Sequence, residues 1–541
     1  MTEAVLDRRT LRSDVFAAVE ALRGAGAFEP DAEKGLDSSR SDSDSAPLVW
    51  FHLPGPRVEP RALLALLGEP SAAGEPDAVV WENAEESFAG WGVASSIRVD
   101  DGVARFERVR REIESVAVRC FGLDGRGSIR TEHGSPRWFG GFAFEDGPID
   151  DSSPWRGFGA GWFMLPRLSI QVAEDRAEWG VVIDAAEAER PAEAEAVTLL
   201  SWLWDRIEAG LGAPPKVTPL DSARSFPKAP RRFTQSIGEA VESIRQGALE
   251  KVVAASHVDV PLDLSPPLDQ LMESWSDGAV ESTRFLFRRG GAAFLGATPE
   301  RLIRKTGRRV ETGALAGTAP KETAHTSDHS ADVADAARAR VRAGRRVASQ
   351  LLASSKNRSE HDFVVRHLVE NLEPLCSSLH VSDDQSILEL RDLLHLQTPI
   401  EGQLQQDRHV LELVEALHPT PAVCGFPTES ARQWIEDHEE VRRGWYSGPV
   451  GWLDGAGDGD FQVALRSMLL SFTDGQGTPE TEPSGYRRAR LYAGVGLVLD
   501  SRIPEEMKEV DAKLLTAGRA LGPWIRDEPW VAEGAVGSKD E

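Results

Sequence analysis

The chain has 541 residues, 41% of them hydrophobic, and a formal net charge of −26. That charge excludes nucleic acid and anionic membranes as natural partners, since both need a basic face. The length allows one large domain or a few ordinary ones, and no apolar run reaches the roughly 18 residues of a membrane span.

The N-terminus MTEAVLDRRTLRSD lacks a signal-peptide apolar stretch and carries acids, which points to the cytoplasm. Residues 10–24 predict a short amphipathic helix with Leu11, Val15, Ala18, Val19 and Leu22 on one side. Glu29 to Pro47 reads as an Asp/Ser-rich linker, so residues 1–47 stand apart from the fold. Strands begin at Leu48 with LVWFHL and VVWENA. Residues 103–119 predict a helix, RWFGGFAFED (137–146) a strand broken at Gly-Gly, and WFMLPRLSIQVA with EWGVVIDA a hairpin. Residues 192–210 predict another helix, so 48–211 is mostly β. The Pro-rich polar stretch 212–232 reads as a linker to a region spanning 233–525, with an acidic tail over 526–541.

In the second region Ser236 and Glu239 fit a capping box for a helix with Ile237, Val241 and Ile244 on one face, ended by Gly247. Lys251 opens an apolar strand. Asp328 to Ser354 predicts a long helix, interrupted by Lys356–Ser359. Glu360 then opens a second helix with Phe363, Val364, His367, Leu368 and Leu372 inward. A helix over 408–417 follows. Tyr446–Leu453 and Phe461–Ser467 flank the turn DGAGDG, with Gln462, Ala464 and Arg466 sharing one face. Leu491–Leu499 is a strand carrying Gly494 and Gly496, and the last helix is Pro504–Leu521. Cys120, Cys376 and Cys424 lie too far apart for a metal or disulfide framework, which suits a reducing cytosol.

Several residues carry candidate chemistry. Pro299 must end or bulge the strand Ala293–Leu295, which presents Glu300 at a strand end as a candidate general acid beside the small-residue turn Thr312–Thr318. Lys251, drawn into a partly dry site, would become a usable base, or else it reaches solvent from a strand end. Glu506 and Glu509 lie three apart on one helix face, with Lys513 a turn beyond. With Glu360 they make three carboxylates without Cys or paired His, a donor set for Mg2+ rather than Zn2+. A charged helix surface is the alternative. Arg466 could grip a carboxylate in a two-pronged pair, and the Gly494–Gly496 backbone could offer N–H groups to the same anion.

In series, LEKVVAAS (249–256), GATPERL (296–302), ETGALAGTAP (311–320), KNRSEHDFVV (356–365), HLQTPIEG (395–402), LHPTPAVCGFP (417–427), GWYSGPVGW (444–452), DGDFQVALRS (458–467), YAGVGLV (492–498) and the Glu506/Glu509/Lys513 helix resemble the chorismate-utilising enzymes, specifically the isochorismate synthases. The resemblance covers residues 235–520. It implies an α+β fold of large antiparallel β-sheets flanked by helices, with 48–211 as the N-terminal portion of the same fold. It also implies Mg2+ as cofactor and chorismate as substrate, no glutaminase subunit, and a monomer.

By resemblance, Lys251 is the base that activates water and Glu300 the acid that protonates the departing hydroxyl. Glu360 and Glu509, helped by Glu506, hold Mg2+. Arg466, Lys513, Tyr492, Gly494 and Gly496 hold the enolpyruvyl carboxylate. Gly317 and Thr318 line the magnesium side, His395 the ring, and Ala422 and Val423 shape the pocket. Lys251 separates this group from the ammonia-using branches, where the position is typically not lysine. The long N-terminal half is more like the menaquinone-pathway enzymes. Salicylate synthases, which add pyruvate elimination, are the nearest alternative, and a non-catalytic chorismate- or metal-binding relative is a further one. Met507, Val510, the Pro504 spacing and Ser256-His257 depart from the family pattern.

Overall fold

The computed structural model describes residues 48–54, 77–116, 118–123, 129–131, 136–150, 152–173, 176–184, 228–275, 282–320, 344–383, 385–390, 393–440, 442–472 and 485–525. The helices expected over 10–24 and 192–210, the linker over 29–47, most of 212–232, most of the 328–354 helix, the loop over 474–484 and the acidic tail lie outside those residues.

The fold is α+β, built on large antiparallel sheets with helices against them. One exception to the antiparallel pattern is Leu48–Pro54, which pairs parallel with Val118–Leu123. One row of strands runs Leu48–Pro54, Arg176–Asp184, Gly161–Ala173, Glu86–Val99, Ala78–Glu82, Thr283–Arg289, Ala292–Thr298, Ser467–Ser471, Arg488–Leu497 and Lys251–Pro261. A second row leaves the first at Gly161–Ala173. It runs Arg137–Phe142, Pro449–Asp454, Gly459–Val463, Arg301–Thr306, Arg309–Pro320 and Leu393–Leu404. Gly161–Ala173 can serve both rows because its start pairs with Arg137–Phe142 and its end with Arg176–Asp184. Strands from either side of the 212–232 stretch therefore share hydrogen-bond ladders.

The chain passes between the two rows twice near the site. It leaves the first row after Thr298 and enters the second at Arg301, with Pro299 and Glu300 between. It leaves the second after Val463 and re-enters the first at Ser467, with Ala464, Leu465 and Arg466 between. Arg466 sits at φ 47°, a left-handed conformation that costs a non-glycine residue energy. The alternation expected across Phe461–Ser467 is thus broken. Arg466 is aimed by a kink and not by strand periodicity.

Aromatic residues fill the space between the rows. Trp81, Trp155, Trp162, Phe294 and Trp445 are buried, and Tyr446 stacks on Tyr492 with ring centroids 4.8 Å apart. Such side chains bury about 150–250 Å² each and dominate core energetics. Cys376 and Cys424 are buried free thiols. Among the described residues no helix is long and apolar enough to cross a membrane.

Two helix starts differ from expectation. The helix Arg231–Arg245 begins before Ser236, whose hydroxyl donates back to Arg232 O at 3.4 Å, so Ser236 is interior and forms no capping box. Ile237, Val241 and Ile244 do face the core. The other helix spans Ser355–Leu372, because Ser354 caps it by accepting the Asn357 N–H at 3.3 Å. Lys356–Ser359 are therefore its first turn and not a break. Glu360 lies one turn in, on the same face as Lys356.

Candidate active site

Lys251 stands at the first position of Lys251–Pro261 and is 1% exposed. Its Nζ lies 3.4 Å from Glu360 Oε1. Glu360 reaches it across Gly496 on the adjacent strand. A Cβ at Gly496 would come within 1.8 Å of Glu360 Oε1, so only glycine admits this carboxylate. Gly494, two residues earlier, leaves room for the Tyr446 hydroxyl, which a Cβ there would meet at 3.2 Å.

Glu300 is pinned at its crossover. Val463 N–H donates to its carbonyl at 2.9 Å, and its own N–H donates to Thr298 Oγ1 at 3.2 Å. Its carboxyl is buried and accepts the Thr420 hydroxyl at 3.4 Å. Burial pushes its pKa up to about 7, against the opposing pull of the Lys251 charge and the Thr420 hydrogen bond. A carboxyl so placed is substantially protonated at neutral pH, which a general acid requires. Thr420 belongs to the loop 418–424 that also carries Ala422 and Val423. That loop is tied to the Lys251 strand by the buried Arg443. Its guanidinium donates to Val253 O and Val423 O, both at 2.7 Å, and is held by Glu439, which also accepts the Ala255 N–H.

On the facing helix, Ile503–Leu521, the acids are already paired. Glu506 is 1% exposed and bonds the Lys356 ammonium. Burial raises the Glu506 pKa, Lys356 opposes that, and Glu509 adds to it. Glu509 pairs with Lys513 Nζ at 2.8 Å, and the same ammonium donates to Gly494 O at 2.8 Å. Among the described residues no three acids, histidines or cysteines converge on one point as metal ligands, each of these carboxylates being turned to an ammonium. The donor set still fits a hard cation. It is all oxygen, all three carboxylates act on the charge of Lys356, and Gly496 is cut away to seat Glu360.

His395 pairs in register with Thr318 across a bulge made by Gly317 at φ 75°. Arg466 donates to His395 Nε2 at 2.6 Å, and since arginine cannot accept, the ring proton sits on Nδ1, 3.1 Å from Thr318 Oγ1. Burial, then the charges of Arg466 and Lys513, hold the His395 pKa well below its ordinary value, so the ring is neutral. Arg466 and Lys513 together line a cleft of about 330 Å³ with Trp275, Leu390, Leu393, Thr516 and Ala517. Tyr492 is buried against Tyr446 and Trp155. Its hydroxyl accepts the Trp155 Nε1–H at 3.0 Å within the aromatic layer.

Contacts join Lys251 with Glu360, Glu509 with Lys513 and Gly494, and Arg466 with His395 and Thr318, while Tyr492 stacks on Tyr446. Lys356, Thr420, Tyr446 and Arg443 were not among them. Lys356 stands four residues before Glu360, a spacing that marks it once the helix is known to begin at Ser355. Thr420 and Arg443 are joined to the site only through tertiary contacts.

Residues 38–522 match the family described as "Chorismate binding enzyme". The chain belongs to that family. It is 34% identical over 444 residues to the salicylate biosynthesis isochorismate synthase of Pseudomonas aeruginosa, covering 82% of this chain and 84% of the relative. It is 29% identical to the isochorismate synthase MenF of Bacillus subtilis, covering 77% and 81%. The fold is that of the menaquinone-specific isochorismate synthase MenF from Escherichia coli, with a TM-score of 0.64 at 23% identity over 94% of this chain and all of that one.

Proposed function

We propose that this protein is an isochorismate synthase, a Mg2+-dependent isomerase that adds water at C2 of chorismate and expels the C4 hydroxyl. The observation that carries the reading is the buried pair Lys251 and Glu300, a base and a carboxyl with pKa about 7 whose charges feel each other. Lys251 takes a proton from water as the oxygen bonds to C2. The ring double bonds shift, the C4–O bond breaks, and Glu300 gives its proton so that the hydroxyl leaves as water. Proton exchange with solvent restores both groups. The exchange leaves composition unchanged, so catalysis is a matter of holding base and acid against the ring.

Glu360 and Glu509, with Glu506, would hold the magnesium ion, which when bound neutralises the carboxylate on the ring. Arg466 and Lys513 anchor the enolpyruvyl carboxylate, with Tyr492 and the Gly494–Gly496 backbone behind them. Neutral His395 fixes Arg466 and faces the ring alongside Thr318 and Gly317, while Ala422 and Val423 close the pocket near Thr420. In a protein of charge −26, these cations are what admits a dianion. The enzyme acts in the cytoplasm, as a monomer and without a glutaminase partner.

Incubation with chorismate and Mg2+, without an amine, tests this. Chromatography should show one product of unchanged mass. Salicylate plus pyruvate would instead mean the lyase, and activity only with ammonia the amination branch. Lys251→Ala should lower turnover by about 10²–10⁴-fold. Near-normal activity in that variant, or indifference to EDTA, would refute the base or the metal role respectively.

A further inference from the structure

Three ammoniums and three carboxylates interleave at the metal side of the site, and they pair one to one: Lys251 with Glu360, Lys513 with Glu509, Lys356 with Glu506. The cluster is charge-balanced without ligand. A divalent cation alone adds two positive charges and a dicarboxylate alone removes two. Only both together restore the balance.

Of the three ammoniums, Lys251 and Lys513 have roles in the proposed chemistry, on which this inference rests. Lys356 has none. Burial pulls its pKa down, but Glu506 first, then Glu360 and Glu509, outweigh that and hold it above the ordinary value. It thus feels all three carboxylates that a metal would use. Its side chain is 25% exposed, whereas that of Glu506 is 1% exposed. The lysine has water to move into and the glutamate does not. A buried carboxylate without a partner is strongly destabilising, so Glu506 keeps its charge only beside a cation.

We propose that Lys356 is a tethered counter-ion. It holds the acidic cluster assembled in the absence of metal, competes with the divalent cation for Glu506, and swings to solvent when the cation binds.

The test uses Mn2+ as probe and full-length protein without chorismate. Electron paramagnetic resonance titration should give a Kd at least about tenfold lower for Lys356→Met than for the wild type. Equal or weaker binding overturns the proposal. A measurement on the wild type guards against a variant that fails to fold. Acetylation by an amine-reactive ester, mapped by peptide mass spectrometry, should rise several-fold at Lys356 when saturating Mg2+ is added. Unchanged or reduced labelling overturns the proposal. If the wild type binds no Mn2+ at all, the metal assignment above falls and this inference with it. If it binds and the lysine makes no difference, only this inference falls.

Discussion

Glu300→Gln replaces a buried acid by a neutral side chain of the same shape whose amide oxygen can still accept the Thr420 hydroxyl. In the folded wild type, burial holds the Glu300 pKa at about 7 instead of its ordinary 4.5. Between those values the unfolded chain has released a proton that the folded protein keeps. The contribution of Glu300 is therefore fully present below about pH 4.5 and lost as the pH rises through 7. The displacement is worth on the order of 3 kcal/mol. The glutamine has no such term. The variant should thus gain on the wild type by about that amount between pH 4.5 and 8, while turnover falls by about 10²–10⁴-fold. Calorimetric melting of both proteins at half-unit steps across this range reads the difference, which should widen with pH and level off above 7. Parallel melting curves from pH 5 to 8 would refute the claim that Glu300 is a buried acid with a raised pKa. The activity loss would then need another cause.

Two further substitutions test the geometry. Gly496→Ala places a methyl 1.8 Å from Glu360 Oε1, so the carboxylate must leave. Mn2+ affinity should fall by about 10–100-fold with the far-ultraviolet circular dichroism unchanged. Thr420→Val removes the hydroxyl that stabilises the Glu300 carboxylate. The alkaline limb of the pH–rate profile should move upward, by less than about one unit because the 3.4 Å bond is long. A downward shift would contradict the assigned donor direction.

The strand ends were readable where local chemistry decides them. Pro299 ends its strand, and Lys251 opens one. Gly247 stops a helix at φ 78°. Helix starts read less well, since Ser236, which suits a cap, lies inside its helix. Ser354 and not Glu360 starts the Ser355–Leu372 helix, and one turn of error hid Lys356 from view. The Phe461–Ser467 strand had the right alternation over its first residues and then failed at Arg466, whose positive φ no periodicity announces. That kink is imposed by the passage between rows, a feature of tertiary structure alone. For the same reason Thr420, Tyr446 and Arg443 gave no local signal. Their partners lie 120, 48 and 190 residues away, at Glu300, Gly494 and Val253.

Glu300 and Arg466 occupy the two places where the backbone leaves one sheet for the other. A small acid lodged between them would act as a rivet through both layers. Occupancy would then register in the melting of the whole molecule and not in one loop, by RT ln(1 + [L]/Kd). Thermal-shift screening of candidate acids would consequently report on this pocket even for compounds that are never turned over.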